Sequence, residues 1–135
     1  MSDIYVASRA SLPARSAMWW GYRDRGFPIV SSWIDEAGEG ETADLGDLWR
    51  RIDREIDAAS VLVLYAERED FPLKGAYVEV GMALARDIPV LCAFPGVILD
   101  PRSARPVGSW LYHPSCQIFI TLDAAMSAAW RLAAP

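Results

Sequence analysis

An α/β domain built on a five-stranded parallel sheet is the fold class this chain predicts, on three observations. Val61-Leu-Val-Leu-Tyr65 and Ile88-Pro-Val-Leu-Cys-Ala-Phe94 are short apolar runs without alternation, as expected of strands covered on both faces. Leu45, Leu48, Trp49, Ile52 and Ile56 recur at three- and four-residue spacing, the mark of an amphipathic helix. Strand-like and helix-like segments alternate along the chain with no internal repeat or linker. Its 135 residues suit a single domain, 1–135, large enough to bury a core. The expected architecture is a three-layer, Rossmann-like sandwich with the flavodoxin-like strand order 2-1-3-4-5.

The elements follow in order. Ile4 to Ala7 reads as a buried first strand, and Ser8 to Pro13 as a turn that places Pro13 near the first position of a helix ending around Arg25-Gly26. Phe27 to Trp33 reads as a second, shorter strand, and the Gly- and Glu-rich stretch from Asp35 to Thr42 as an exposed loop. A helix over 43–59 leads into the third strand, Val61 to Tyr65, followed by a polar loop from Ala66 to Leu73. Gly75 to Ala85 is a helix, Ile88 to Phe94 the fourth strand, and Pro95 to Pro114 a Pro/Gly-rich segment long enough to be a functional loop. Gln117 to Thr121 is the last strand and Leu122 to Leu132 the closing helix. In such a sheet ligands bind beyond the carboxyl ends of the strands, at the switch between strands one and three. The turn carrying Ser8, Arg9 and Ser11 and the loop from Glu67 to Lys74 would flank that crevice.

Composition narrows the function. With 53% hydrophobic residues the chain is too apolar for disorder, yet no apolar stretch reaches the length of a bilayer span. The start, Met1 to Val6, lacks a basic region followed by a long apolar segment, so a cytoplasmic location is expected. A net charge of -5 with no basic stripe argues against duplex nucleic acid as a partner. Two cysteines outside any C-x-x-C pair and a single histidine offer no metal-ligand cluster, and no cofactor is expected. Six tryptophans and a long aromatic-bearing loop in so small a domain suggest a homodimer or higher homo-oligomer.

The most informative segment is Gly75-Ala-Tyr-Val-Glu-Val-Gly-Met-Ala-Leu-Ala85, which carries one charge, Glu79. A helix apolar on every side is expected to be buried, and a carboxylate inside it needs partners, a raised pKa or a chemical role. Gly75 and Gly81 would clear side chain from around it so that a ligand or a second backbone could approach. The plainer alternative is a glutamate paired with an arginine or facing out through a gap. The stronger reading makes Glu79 the reactive group of a small enzyme. It lies about 7–8 Å below the rim at ~1.5 Å per residue, and Asp53, near mid-height on the preceding helix, could approach it.

Four stretches carry a family resemblance: Ile4-Tyr-Val-Ala-Ser-Arg9; Val30-Ser-Ser-Trp-Ile34; Trp49-Arg-Arg-Ile-Asp53 with Ile56 to Ser60; and Gly75-x-x-x-Glu79-x-Gly81-x-Ala83 followed by Pro89-Val90. In these the chain resembles the nucleoside 2-deoxyribosyltransferase-like superfamily, which also holds the deoxynucleoside monophosphate N-hydrolases. The resemblance implies cleavage of the N-glycosidic bond of a (deoxy)nucleoside or its 5′-monophosphate, by base transfer or hydrolysis. Glu79 would attack the anomeric carbon, and Asp53 would assist the base or fix the sugar. A nucleophile must be ionised, so donors such as Tyr5 or Ser8 are expected to hold the carboxylate charged. A non-catalytic nucleotide-binding or sensing module in the same crevice is the alternative.

Several other residues admit two readings. Arg9, with Ser8 and Ser11, suits a 5′-phosphate or a ribose hydroxyl at a helix start, or is a solvated loop arginine beside serine caps. Trp33 would stack on a base or pack in the core. Lys74, the only lysine, directly precedes the Glu79 helix and joins Gly75 as a candidate substrate contact. His113, in Trp110-Leu-Tyr-His113, belongs to a candidate lid or is structural. Of Trp19 and Trp20 at least one is expected in the core. Glu67, Glu69 and Asp70 read as a solvated acidic turn.

Overall fold

The computed structural model describes residues 3–36 and 43–133. Four parallel strands, β1 (Asp3–Ala7), β2 (Ala59–Tyr65), β3 (Val90–Ala93) and β4 (Cys116–Phe119), form one sheet in the order β1-β2-β3-β4. Four helices accompany them: α1 (Pro13–Asp24), α2 (Leu45–Ala58), α3 (Gly75–Ala85) and α4 (Leu122–Ala133). The expected α/β class with an all-parallel sheet is present; the five-stranded 2-1-3-4-5 order is not.

The missing member is the strand expected over 27–33. It is reduced to one bridge, Ile29 against Ile4, on the side of β1 away from β2. The physical reason lies in who supplies the hydrogen bonds. Pro28 has no N–H to give, and Ile29 turns back to bond the Phe27 carbonyl. Only the Pro28 carbonyl and the Val30 N–H reach Ile4. At Val6 side chains take over: the Ser31 hydroxyl accepts the Val6 N–H at 2.7 Å, and the Trp33 indole N–H donates to the Val6 carbonyl at 2.8 Å. Released from a ladder, the backbone coils into a 3-10 helix at Ser32–Asp35.

Helix α1 begins with Pro13, where a missing N–H costs nothing. Helix α2 is capped by Asp44, whose side chain accepts the Asp47 N–H. Helices α2 and α3 pack on each other on one face of the sheet. Helix α4 covers the other face, and the Tyr22 hydroxyl of α1 donates to Asp123 at its start. Strand β2, between them, is buried along nearly its whole length. Trp19 is fully buried in the core, while Trp20 is 42% exposed and donates its indole N–H to the Ile34 carbonyl.

Helix α3 is not buried on every side as its sequence implies. Ala76, Glu79, Val80 and Ala83 face inward, but Val78 is 52% exposed and Gly81 faces open space. The long segment 95–114 is also not a lid. It tucks Ala104, Val107 and Leu111 into the core, and Trp110 meets the Tyr77 ring of α3 edge-on.

The acidic turn after β2 differs most from expectation. Asp70 is 1% exposed; it receives two N–H groups of Arg15, itself buried in the first turn of α1, and caps the Glu67 N–H. The Arg15 guanidinium also lies over the Tyr65 ring. This pair fastens the loop between β2 and α3 to α1. Replacing Asp70 with Ala strands a buried cation and should cost about 3–5 kcal/mol in urea unfolding. Asp35→Ala, which breaks the exposed Arg23–Asp35 pair, should cost under about 1 kcal/mol.

Candidate functional site

Above the carboxyl ends of β1 and β2 lies a cavity of about 450 Å³, where the parallel topology leads one to look. Ser8, Arg9, Ala10 and Ser11, following β1, form one wall, and Asp70 to Ala76, leading into α3, form another. Leu48, Trp49 and Ile52 reach it from the first two turns of α2, Trp33 from the 3-10 helix, and Glu79 from α3.

Glu79 is the fifth residue of α3 and is 6% exposed. The Tyr5 hydroxyl, from the middle of β1, donates to its Oε1. The second oxygen, Oε2, has no hydrogen-bond partner among the described residues, and Glu79 lines the cavity. The expected donor is therefore present. Burial pushes the Glu79 carboxyl up to about 8, the Tyr5 hydrogen bond pulls it down by less, and the negative charge of Glu55 adds to the rise. Burial and the neighbouring Glu79 likewise raise the Tyr5 hydroxyl far above its ordinary range, so Tyr5 remains a donor. Tyr5 does not line the cavity; it acts through Glu79.

Asp53 does not approach Glu79. It pairs with Arg86 at 2.7 Å, its side chain half exposed, and it does not line the cavity. At about 100° per residue, Asp53 and Glu55 flank opposite edges of the stripe formed by Leu48, Trp49, Ile52 and Ile56. Asp53 falls on the edge next to Arg86, the residue that follows α3. Glu55 falls on the edge next to the 3-10 helix, where it accepts the Ser32 N–H at 3.2 Å, and its charge is felt at both Tyr5 and Glu79.

His113 is likewise remote. It directly precedes the turn into β4, and its Nδ1 accepts the Ser115 N–H. In a parallel sheet that position lies at the amino edge, across the strands from the cavity. Neither it nor any other residue of 95–114 lines the site.

The remaining candidates converge. Ser8 is 4% exposed and accepts the Trp19 indole N–H at 2.9 Å. Arg9 is exposed and reaches the Glu69 carbonyl and the Ser11 hydroxyl. Trp33 is buried against Val6 with part of its surface on the cavity. Lys74 caps α3 without using its side chain. Gly75 lies under the Trp49 indole, 3.6 Å from where a Cβ would stand. Gly81 has no such neighbour and takes no part.

Three participants escaped the sequence reading. Trp49 falls in a helical stripe, yet its position in the first turns of α2, the end nearest the strand carboxyl termini, points to the rim. Arg15 sits in a helix first turn, where the dipole disfavours a cation, so its presence there calls for a buried acid such as Asp70. Glu55 carries no comparable signal.

Among the described residues no group of His, Cys, Asp or Glu is placed to hold a metal ion, and no helix is long and apolar enough to cross a membrane. No protein-family model matches the chain, and no curated protein matches its sequence.

Glu79 leaves a signature in stability. Unfolded, its carboxyl ionises near its ordinary value of 4.5; folded, it keeps its proton to about 8. The folded state thus binds the extra proton in that window, and stability falls as pH rises through it, by an amount on the order of a few kcal/mol. Glu79→Gln should flatten this fall, so that the variant gains on the wild type in melting temperature between about pH 5 and about pH 9.

Proposed function

We propose that this protein cleaves the N-glycosidic bond of a (deoxy)nucleoside or its 5′-monophosphate, by base transfer or hydrolysis, with Glu79 as the group that takes the sugar. The observation that carries this reading is Glu79 at the wall of a nucleoside-sized cavity, buried, oriented by Tyr5 on one oxygen and without a hydrogen-bond partner on the other among the described residues. A volume of about 450 Å³ falls within the usual range of small-molecule sites. Trp33, Trp49 and Phe71 supply aromatic surface of the kind that accepts a base. Arg9 and Lys74 supply positive charge at the mouth, which suits a 5′-phosphate. The resemblance to the nucleoside 2-deoxyribosyltransferase-like superfamily agrees with this chemistry, with the carboxyl as nucleophile.

Incubating the protein with deoxynucleosides and their monophosphates and following free base by chromatography tests the reading. Glu79→Ala should lower base release by at least about a thousandfold with the fold intact by circular dichroism. Equal release by wild type and variant would remove Glu79 from the reaction. Tyr5→Phe, which loses one hydrogen bond to the carboxyl, should lower the rate by about ten- to a hundredfold. Asp53→Ala should leave the rate within about threefold and the stability within about 1 kcal/mol, because its partner Arg86 is an exposed-side ion pair.

A second reading, a nucleotide-binding module without turnover, is favoured by one observation: the acid expected to assist Glu79 is held by Arg86 instead. Tight binding of a nucleotide with no base release, surviving in Glu79→Gln, would select it.

A further inference from the structure

Glycoside cleavage with a carboxyl nucleophile needs two things, a proton for the departing base and an electron pair for the sugar, and two separate groups ordinarily provide them. Here other acids of α2 and of the loop before α3 are already engaged. Asp53 is bound to Arg86, Asp70 is locked by Arg15, and Glu55 accepts the Ser32 N–H. The ionisable groups around Glu79 are Tyr5 from β1, Glu55 from α2, Arg9 from the turn after β1, and Asp70 and Lys74 from the loop before α3. Tyr5 spends its proton on Oε1, Arg9 is directed to the Glu69 carbonyl and Ser11, and no cation forms an ion pair with Glu79 among the described residues. Oε2 is the Glu79 oxygen left without a hydrogen-bond partner among the described residues, and Glu79 lines the space a substrate would fill.

Resting on the glycosidic reading above, we propose that Glu79 enters the reaction as a neutral carboxyl and serves in turn as proton donor and nucleophile. The Oε2 proton passes to a ring nitrogen or carbonyl oxygen of the base as the bond from the anomeric carbon to the base nitrogen breaks, its electron pair leaving with the base. The carboxylate so formed bonds the anomeric carbon through the same oxygen. Tyr5 stays on Oε1 throughout and stabilises the charge at the moment it develops. Water then gives its hydroxyl to the anomeric carbon and its other proton back to Glu79; in base transfer the N–H of the incoming base does both. Each cycle returns the neutral acid, with no external proton source. Burial suits this role, because it holds the proton in place up to the neutral range, and the base becomes a strong enough acceptor to take it only as the bond breaks and the electron pair collects on it.

Two measurements test the proposal separately from the glycosidic reading. The first is infrared: the C=O stretch of a protonated carboxyl, taken as the difference between wild type and Glu79→Gln, should be present at pH 7. In wild type alone it should vanish as pH is raised from about 6 to about 10, a range in which exposed carboxyls are already ionised. No such band at pH 7 overturns the proposal whatever the activity. The second is the pH profile of kcat/KM for base release from a deoxynucleoside or its monophosphate. A neutral donor predicts a level rate on the acid side that falls about tenfold per pH unit above about 8; an ionised nucleophile predicts a rise of the same steepness up to that point and overturns the proposal. A carboxyl band without base release at any pH overturns the glycosidic reading and this proposal with it.

Discussion

The hydrogen bond from Tyr5 to Glu79 is the constraint around which the rest of the molecule is arranged. A carboxyl in the packed layer between a helix and a sheet has lost its water, and one phenolic donor replaces only part of that hydration. The remaining deficit raises the pKa of the carboxyl. Because Tyr5 is in the middle of β1 and Glu79 in the second turn of α3, the bond also fixes the height of that helix over the sheet. The carboxyl is thereby both an element of packing and the reactive feature of the cavity.

Three walls of the cavity are tied down by polar contacts that are buried or part-buried. The loop from β2 to α3 is drawn in by Arg15 and Asp70, the turn after β1 by the Trp19 indole on Ser8, and the 3-10 helix by Glu55 and by Arg51 on the Ser32 hydroxyl. These contacts are satisfied and directional, which gives the site a set shape before any ligand arrives. The apolar residues supply most of the surface; the polar ones decide where it stands.

Much of this was legible in the chain. Period and run length placed all four observed strands and all four helices near their bounds, because Val61 to Tyr65 and the stripe on α2 have unambiguous patterns. The crevice followed from topology, and Glu79 from the contrast between one charge and its apolar neighbours. The failures share a cause: they concern which way a polar side chain turns. Asp53 and Glu55 stand on opposite edges of one stripe, and nothing in their spacing says that Arg86 waits beside the first. Asp70 looks like any residue of an acidic turn until Arg15, 55 positions away, comes to meet it. The apolar 27–33 segment has strand composition, yet the serine and tryptophan within it bond β1 through their side chains, a choice that composition does not record.

That last choice has a consequence for how the molecule meets others. The outward-facing backbone groups of β1 belong to Ile4 and Val6, and all four are taken, two by Pro28 and Val30 and two by Ser31 and Trp33. A foreign strand drifting alongside finds no unpaired donor or acceptor to zip onto, so this flank is guarded against sheet-to-sheet aggregation without the charges or bulges proteins often spend on that task. The same two side chains that close the flank also deliver an indole to the cavity, so loss of either would expose a sticky border and unseat a wall at once.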